Sequence, residues 1–281
     1  MERKVKADLH NHLRTSSIFR DSDFNKGMDV ASKRLGSGGV IGIVNCDDQR
    51  YEVISGLRGY NREFVGEQKN GFYVSEKDVL AVKAQEVATE DGDLLVLGLG
   101  KDVHVKQHQP LNDTLKEAKD KDGIVVAVHP FAHGGIGEYL LMNPYSLGDL
   151  DAIETYNGQV AFGIPKSPFP VGANQKAQKL YDEMKGVFPN LGSLTCSDGH
   201  SMWEIGRSWT MIDELNLNPS QFNDSLRNAV RNTDNNTVTQ RKNGAVGMIK
   251  HIADLAFIIG VAPKIGMADN YKVDRPEGGY R

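Results

Sequence analysis

The sequence predicts an α/β barrel, on three observations. Short apolar runs recur at residues 39–44, 94–98, 123–128 and 152–156, each continuously hydrophobic rather than alternating, as strands buried on both faces of a parallel sheet are. Between them lie helix-like stretches such as 111–121 and 174–185, where Leu, Ala and Met recur at helical spacing among charged residues. His, Asp or Glu stands where nearly every run stops, which is where barrel active sites are built.

Taken in chain order, Leu9 ends the first segment and His10-Asn11-His12 follows. The 39–44 run gives way to Asn45-Cys46-Asp47-Asp48, and Glu86 lies within Ala84-Gln85-Glu86-Val87. The 123–128 run stops at His129-Pro130, and residues 191–195 lead into Ser197-Asp198-Gly199-His200. One barrel mouth would collect these groups. The Gly- and Pro-rich stretches 134–137 and 163–172 read as loops over the rim, and segments 50–77 and 134–170 as the loops that set specificity. Residues 1–212 are expected to form the barrel, and 213–281 a polar, Asn-rich helical flank with a mobile tail.

Composition narrows the function. At 281 residues the chain suits one large barrel or two ordinary domains. A formal charge of -4 gives no basic field for a nucleic-acid backbone, and small anionic substrates stay open if metal ions supply the positive charge. No stretch approaches the roughly 18–20 apolar residues of a membrane span, and the polar start lacks the apolar core of a secretory signal. A cytoplasmic location is expected. Cys46 and Cys196 form no CxxC pair and are read as free thiols.

His10 and His12, one residue apart at a strand end, can offer both imidazoles to one metal, with Asp8 placed to orient them. An HxH pair alone is a weak sign. Joined by Asp198 and His200, two apart after another buried strand, and by His129 and Glu86, it makes a mixed carboxylate and imidazole set suited to two or more divalent ions, which a carboxylate can bridge.

Five ordered segments now bear comparison with a known family. Asp8-Leu9-His10-Asn11-His12, Glu86 with residues 87–95, Ala127-Val128-His129-Pro130-Phe131, residues 153–158, and residues 196–201 followed by Ile205-Gly206-Arg207 resemble the motifs of the polymerase and histidinol phosphatase (PHP) superfamily of metal-dependent phosphoesterases. The resemblance runs from about residue 7 to 210. It implies a distorted (β/α)7 barrel holding two or three divalent ions (Mn2+, Zn2+, Fe2+ or Mg2+). By the same resemblance, His10, His12, Glu86 and Asp198 surround one ion, Glu86 bridges to a second held by His129, and His200 serves a third.

The departures matter too. Asp47 stands where the family usually has a metal-binding histidine, Asp93 where its glutamate segment usually ends in histidine, and Ser17 where many members carry aspartate. Both His-to-Asp replacements keep ligand capacity and favour harder ions such as Mn2+ or Mg2+. Asp47 and His200 are the candidates for managing protons. Arg207 is the main candidate for gripping phosphate, with Arg14 and His133 beside it. Glu154 and Asn157 are read as shaping the pocket, Trp203 and Trp209 as rim packing, and His104, His108 and His251 as outside the site. Three functions stay open: a phosphoesterase for a small metabolite or nucleotide, a nucleic-acid phosphodiesterase or exonuclease, and a catalytically reduced module that binds metal or ligand.

Overall fold

The structure, a computed structural model, describes residues 3–13, 21–46, 48–162, 170–234 and 238–242. Its strands are β1 (Lys4–Asp8), β2 (Gly39–Asn45), β3 (Glu63–Val65), β4 (Gly71–Val74), β5 (Val79–Ala88), β6 (Asp93–Leu97), β7 (Ile124–Ala127), β8 (Ala152–Asn157), β9 (Gly192–Cys196), β10 (Trp209–Asp213) and β11 (Val238–Thr239). They join one sheet in the order β11-β10-β1-β2-β5-β6-β7-β8-β9, with the β3–β4 hairpin attached to β5. The sheet curls almost shut. Beyond β1 and β9, the His12 amide donates to the Gly199 carbonyl (2.7 Å), and Asn11 pairs with Gly199 in parallel. The Thr195 amide of β9 donates to Thr210 Oγ1 of β10 (2.7 Å).

Period-two alternation sorts the side chains into an interior and an exterior. Val5 and Ala7 of β1, Val40 and Val44 of β2, Leu80, Val82 and Ala84 of β5, Leu95 and Leu97 of β6, and Val126 of β7 fill the barrel. Residues of opposite parity face out. Ile41 and Ile43 pack under α1 (Asp21–Leu35) and α2 (Arg50–Gly56), while Leu94, Val96, Val125 and Ile153 meet α3 (Leu111–Asp120), α4 (Gly137–Met142) and α5 (Ala173–Met184). Close approach of the chain segments at the β1–β2 crossing depends on Gly42, where any Cβ would strike the Leu9 carbonyl.

The last helix among the described residues, α6 (Phe222–Arg231), plugs the end of the barrel where β7 and β9 begin. Its Phe222, Leu226, Ala229 and Val230 join the interior core. Arg227 Nη1 donates to the Gly123 carbonyl, and the Val230 carbonyl lies against Gly192. The opposite end is left for the site. The rest of the expected flank, residues 243–281, lies outside the described residues.

The expected helices at 111–121 and 174–185 are α3 and α5, and the four apolar runs are β2, β6, β7 and β8. Strand direction departs from expectation. The sheet is parallel across β1–β2–β5 and β7–β8–β9, but β6 runs antiparallel to both β5 and β7, and β1 antiparallel to β10. Residues 89–92 join β5 to β6 in a tight turn, with Thr89 Oγ1 donating to the Gly92 carbonyl and Gly92 at φ 133°. A turn this short makes a hairpin, whereas a parallel crossover needs a dozen or more residues. Segment 50–77 is likewise more than loop, carrying α2 and the β3–β4 hairpin.

Candidate metal centre

The interior parity that buries Leu80, Val82 and Ala84 reaches Glu86 at the open end of β5. On β6 the same parity runs Leu97, Leu95, Asp93; because that strand is reversed, its first residue rather than its last faces the mouth. Glu154 follows Ala152 on β8, and His10, His12, His129, Asp198 and His200 follow β1, β7 and β9.

These groups converge. Nε2 of His10 and Nε2 of His12 are 2.9 Å apart, and Asp198 Oδ1 lies 3.6 Å and 3.5 Å from them. Glu86 spans the gap to the next histidine, with Oε2 3.3 Å from His12 Nε2 and Oε1 2.9 Å from His129 Nε2. The His200 ring stacks on His12 at 4.7 Å. Ligand atoms of His10, His12 and Asp198 form one compact set, those of His10, Glu86 and His129 a second, and those of His12, Cys46 and Glu86 a third.

The spacing fits a divalent cation. Four tetrahedral ligands about 2.1 Å from an ion stand roughly 3.4 Å from one another, close to the distances in the first set. Asp198 Oδ1 and His129 Nδ1 are buried and have no hydrogen-bond partner among the described residues, although a buried polar atom left unpaired costs about 1–3 kcal/mol. A cation beside Asp198 Oδ1 would offset that cost.

A further set of contacts fixes the candidate ligands. Glu154 Oε1 lies 3.2 Å from His10 Nδ1, and its Oε2 accepts from the His129 amide (2.7 Å) and from Asn157 Nδ2 (3.0 Å). Asn157 Nδ2 also donates to Asp198 Oδ2 (3.1 Å). Asp8 acts differently from its expected role beside the histidines. Its carboxylate accepts from the Ser197 amide, Ser197 Oγ and the Gly206 amide, clamping the loop that carries Asp198 and His200 onto β1.

Charge is strongly coupled across the cluster. Burial disfavours protonated His10, but the Asp198 and Glu154 carboxylates outweigh it and push its pKa up to about 10. His129 rises to about 9 against the same penalty, through its hydrogen bond and attraction to Glu86. Burial holds His12 well below the usual range. Burial alone would raise Glu86, but His12 and His129 bring it well below the ordinary carboxylate value. Burial and the nearby Glu86 push Asp93 up to about 6.

His12, Glu86, His129, Asp198 and His200 line one cavity of about 180 Å3 together with Asp93, His133 and Gln159. Asp93 is absent from the three compact sets of ligand atoms. Arg207 does not line this cavity, and its guanidinium donates to the Lys242 carbonyl at 3.3 Å. Asp47, Arg14, Ser17 and His251 lie outside the described residues. Exposed His108 and half-buried His104 do not line the cavity, and Trp209 carries Lys6 Nζ over its ring.

Two residues escaped the sequence reading. Cys46 Sγ lies 3.3 Å from His12 Nδ1 and 3.4 Å from Glu86 Oε2, its thiol pushed well up by burial and by Glu86. Arg50 Nη1 lies 3.2 Å from His12 Nδ1, while its Nε donates to Asp48 Oδ2. The only sequence signal for either was proximity to the end of β2.

No family model matches the chain, and no curated protein matches it in sequence. Solved structures do resemble it. PsfC from Pseudomonas syringae superposes with a TM-score of 0.58 at 15% identity, over 90% of this chain and 97% of that one. The lesion-specific endonuclease PfuEndoQ from Pyrococcus furiosus gives 0.52 at 14% identity, over 84% of this chain and 58% of the endonuclease. At such identities the likeness is one of fold. No helix among the described residues is long and apolar enough to cross a membrane.

Proposed function

We propose that the chain is a metal-dependent phosphoesterase of the PHP superfamily that hydrolyses a small phosphorylated metabolite or nucleotide. The observation that carries this reading is the convergence of His10 Nε2 and His12 Nε2, 2.9 Å apart, on the unpartnered Asp198 Oδ1, with Glu86 reaching from that set to His129. His10, His12 and Asp198 would hold one ion and Glu86 and His129 a second, with Asp47, Asp93 and His200 available to a third. Bound there, divalent ions would polarise a phosphoryl oxygen and acidify water.

The chain's own groups supply the rest. Glu154 accepts the Nδ1 proton of His10 and so turns the Nε2 lone pair inward. His200, which stacks on His12 and lines the cavity, would hand a proton to the leaving oxygen, a role the sequence also allows Asp47. Arg207 would have to turn from the Lys242 carbonyl to grip a phosphate. A second reading, cleavage of a nucleic-acid phosphodiester, takes support from the fold likeness to a lesion-specific endonuclease. The net charge of -4 and the small cavity favour the first.

The test begins with metal content of the wild type and of a His10→Ala/Asp198→Ala double variant after loading with Mn2+, Zn2+ or Mg2+ and desalting. Two or more ions per chain, lost in the variant, followed by hydrolysis of phosphomonoesters but not of oligonucleotides, is the expected result. Oligonucleotide cleavage alone would select the second reading; no retained ion under any condition would remove the tight multinuclear centre.

A further inference from the structure

Among the described residues that line the cavity, Gln159 alone carries an uncharged amide, and the candidate metal-ligand sets leave it unused. It follows β8, past Asn157-Gly158, and is only 4% exposed. Asn157 Oδ1 accepts from both the Gln159 and Val160 amides at 2.9 Å, so the backbone turn is set by Asn157 and does not need the glutamine side chain. The amide of that side chain has no hydrogen-bond partner among the described residues, yet it is not among the sealed, unpaired polar atoms. A buried amide in that position opens onto the space it lines, which is the cavity beside Asp198 and His200.

Cavity size fixes what the amide can meet. About 180 Å3 falls below the ~300–1,000 Å3 of pockets that enclose a drug-sized ligand, so it admits a single tetrahedral anion and leaves the remainder of an ester outside. The other polar walls are the carboxylates of Glu86, Asp93 and Asp198, which accept rather than donate when ionised, and four imidazoles, of which His12 and His129 belong to the ligand sets. An amide N–H is a donor that adds no charge to a crowded site.

We propose that Gln159 is a phosphoryl-recognition residue, its side-chain N–H donating to a non-bridging phosphoryl oxygen held in the cavity it lines. The assignment rests on the phosphoesterase reading above and deepens it. Asn157 serves both sides of the arrangement, holding Asp198 Oδ2 through Nδ2 while its Oδ1 sets the turn that presents Gln159. Recognition of the anion is thereby linked to placement of a candidate metal ligand.

The test titrates inorganic phosphate into the metal-loaded full chain by calorimetry, for the wild type, for Gln159→Met, which keeps length without polarity, and for Gln159→Glu, which keeps shape but loses the donor and adds charge. Hydrogen bonds to charged groups predict a ten- to hundredfold rise in phosphate Kd for Gln159→Met and at least as large a rise for Gln159→Glu, with metal content unchanged in both. Phosphate binding by Gln159→Met within twofold of the wild type overturns the assignment and leaves the phosphoesterase reading intact. Loss of bound metal in both variants shows a structural role instead and overturns it as well. Failure of the wild type itself to bind phosphate removes the phosphoesterase reading, and this inference with it.

Discussion

Glu154 and His10 face one another inside the barrel mouth, both fully buried, with Glu154 Oε1 3.2 Å from Nδ1 of the imidazole. A carboxylate there selects the tautomer that leaves Nε2 bare, and raises the basicity of that nitrogen toward a cation. Replacing Glu154 by glutamine keeps shape but removes the charge. Metal affinity is expected to fall about 10- to 100-fold in Glu154→Gln, measured by competition with a chelating dye, with little change in circular dichroism. Unchanged affinity would reduce Glu154 to a space-filling role.

The metal-free chain should lose stability as the solution turns alkaline. His10 and His129, at about 10 and about 9, bind protons in the folded state that an ordinary histidine near 6.5 has released when unfolded. Their contribution is complete below pH ~6.5 and is lost as pH rises through those folded values, since the folded state holds more protons across that window. Ligated imidazoles carry no such proton, so metal uptake should strengthen over the same range. Calorimetric Tm of the stripped and loaded chain at several pH values checks this; a gap between the two that narrows with pH would contradict it.

Asp8 anchors the loop that carries Asp198 and His200. Burial pushes its pKa up to about 6, and the two Ser197 donors and the Gly206 amide pull the other way. Asp8→Ala leaves those buried donors unpaired, for an expected loss on the order of 3 kcal/mol together with weaker metal binding. Urea denaturation of the metal-free protein separates the two effects.

Lys83 illustrates a buried charge outside the site. Its Nζ, sealed within the protein, donates to Glu52 Oε1 at 2.6 Å and to the carbonyls of Gly100, Lys101 and Val103. It therefore pins the segment after β6 onto β5. Lys83→Met should destabilise the chain by roughly 3–5 kcal/mol because Glu52 is left without its cation. A Tm within about one degree of the wild type would show that water reaches Glu52 freely.

The ligand candidates were readable in the sequence because each sits within or just past a buried run, where a polar residue has no packing reason to be. Glu154 was harder to place, since a carboxylate inside the apolar run of β8 gains its meaning only from His10, 144 positions earlier in the chain. Cys46 and Arg50 depend on how α2 leaves β2, which no local pattern records. Strand direction was hidden for a related reason. A continuous apolar run reports burial on both faces but not orientation, and the tight turn at Gly92 was the available sign that β6 runs backwards.

Backbone conformation at the ligands has a consequence for how this chain can change. His129 at φ 29° and Asp198 at φ 51° occupy the left-handed region, which costs a residue other than glycine about 1–3 kcal/mol. Exchange of Asp198 for glycine would relax that strain but would also remove the carboxylate that holds a proton on His10 and accepts from Asn157 Nδ2. The strained backbone and the carboxylate's contacts therefore pull in opposite directions, so heat resistance at this position would shift with whatever neutralises the histidines.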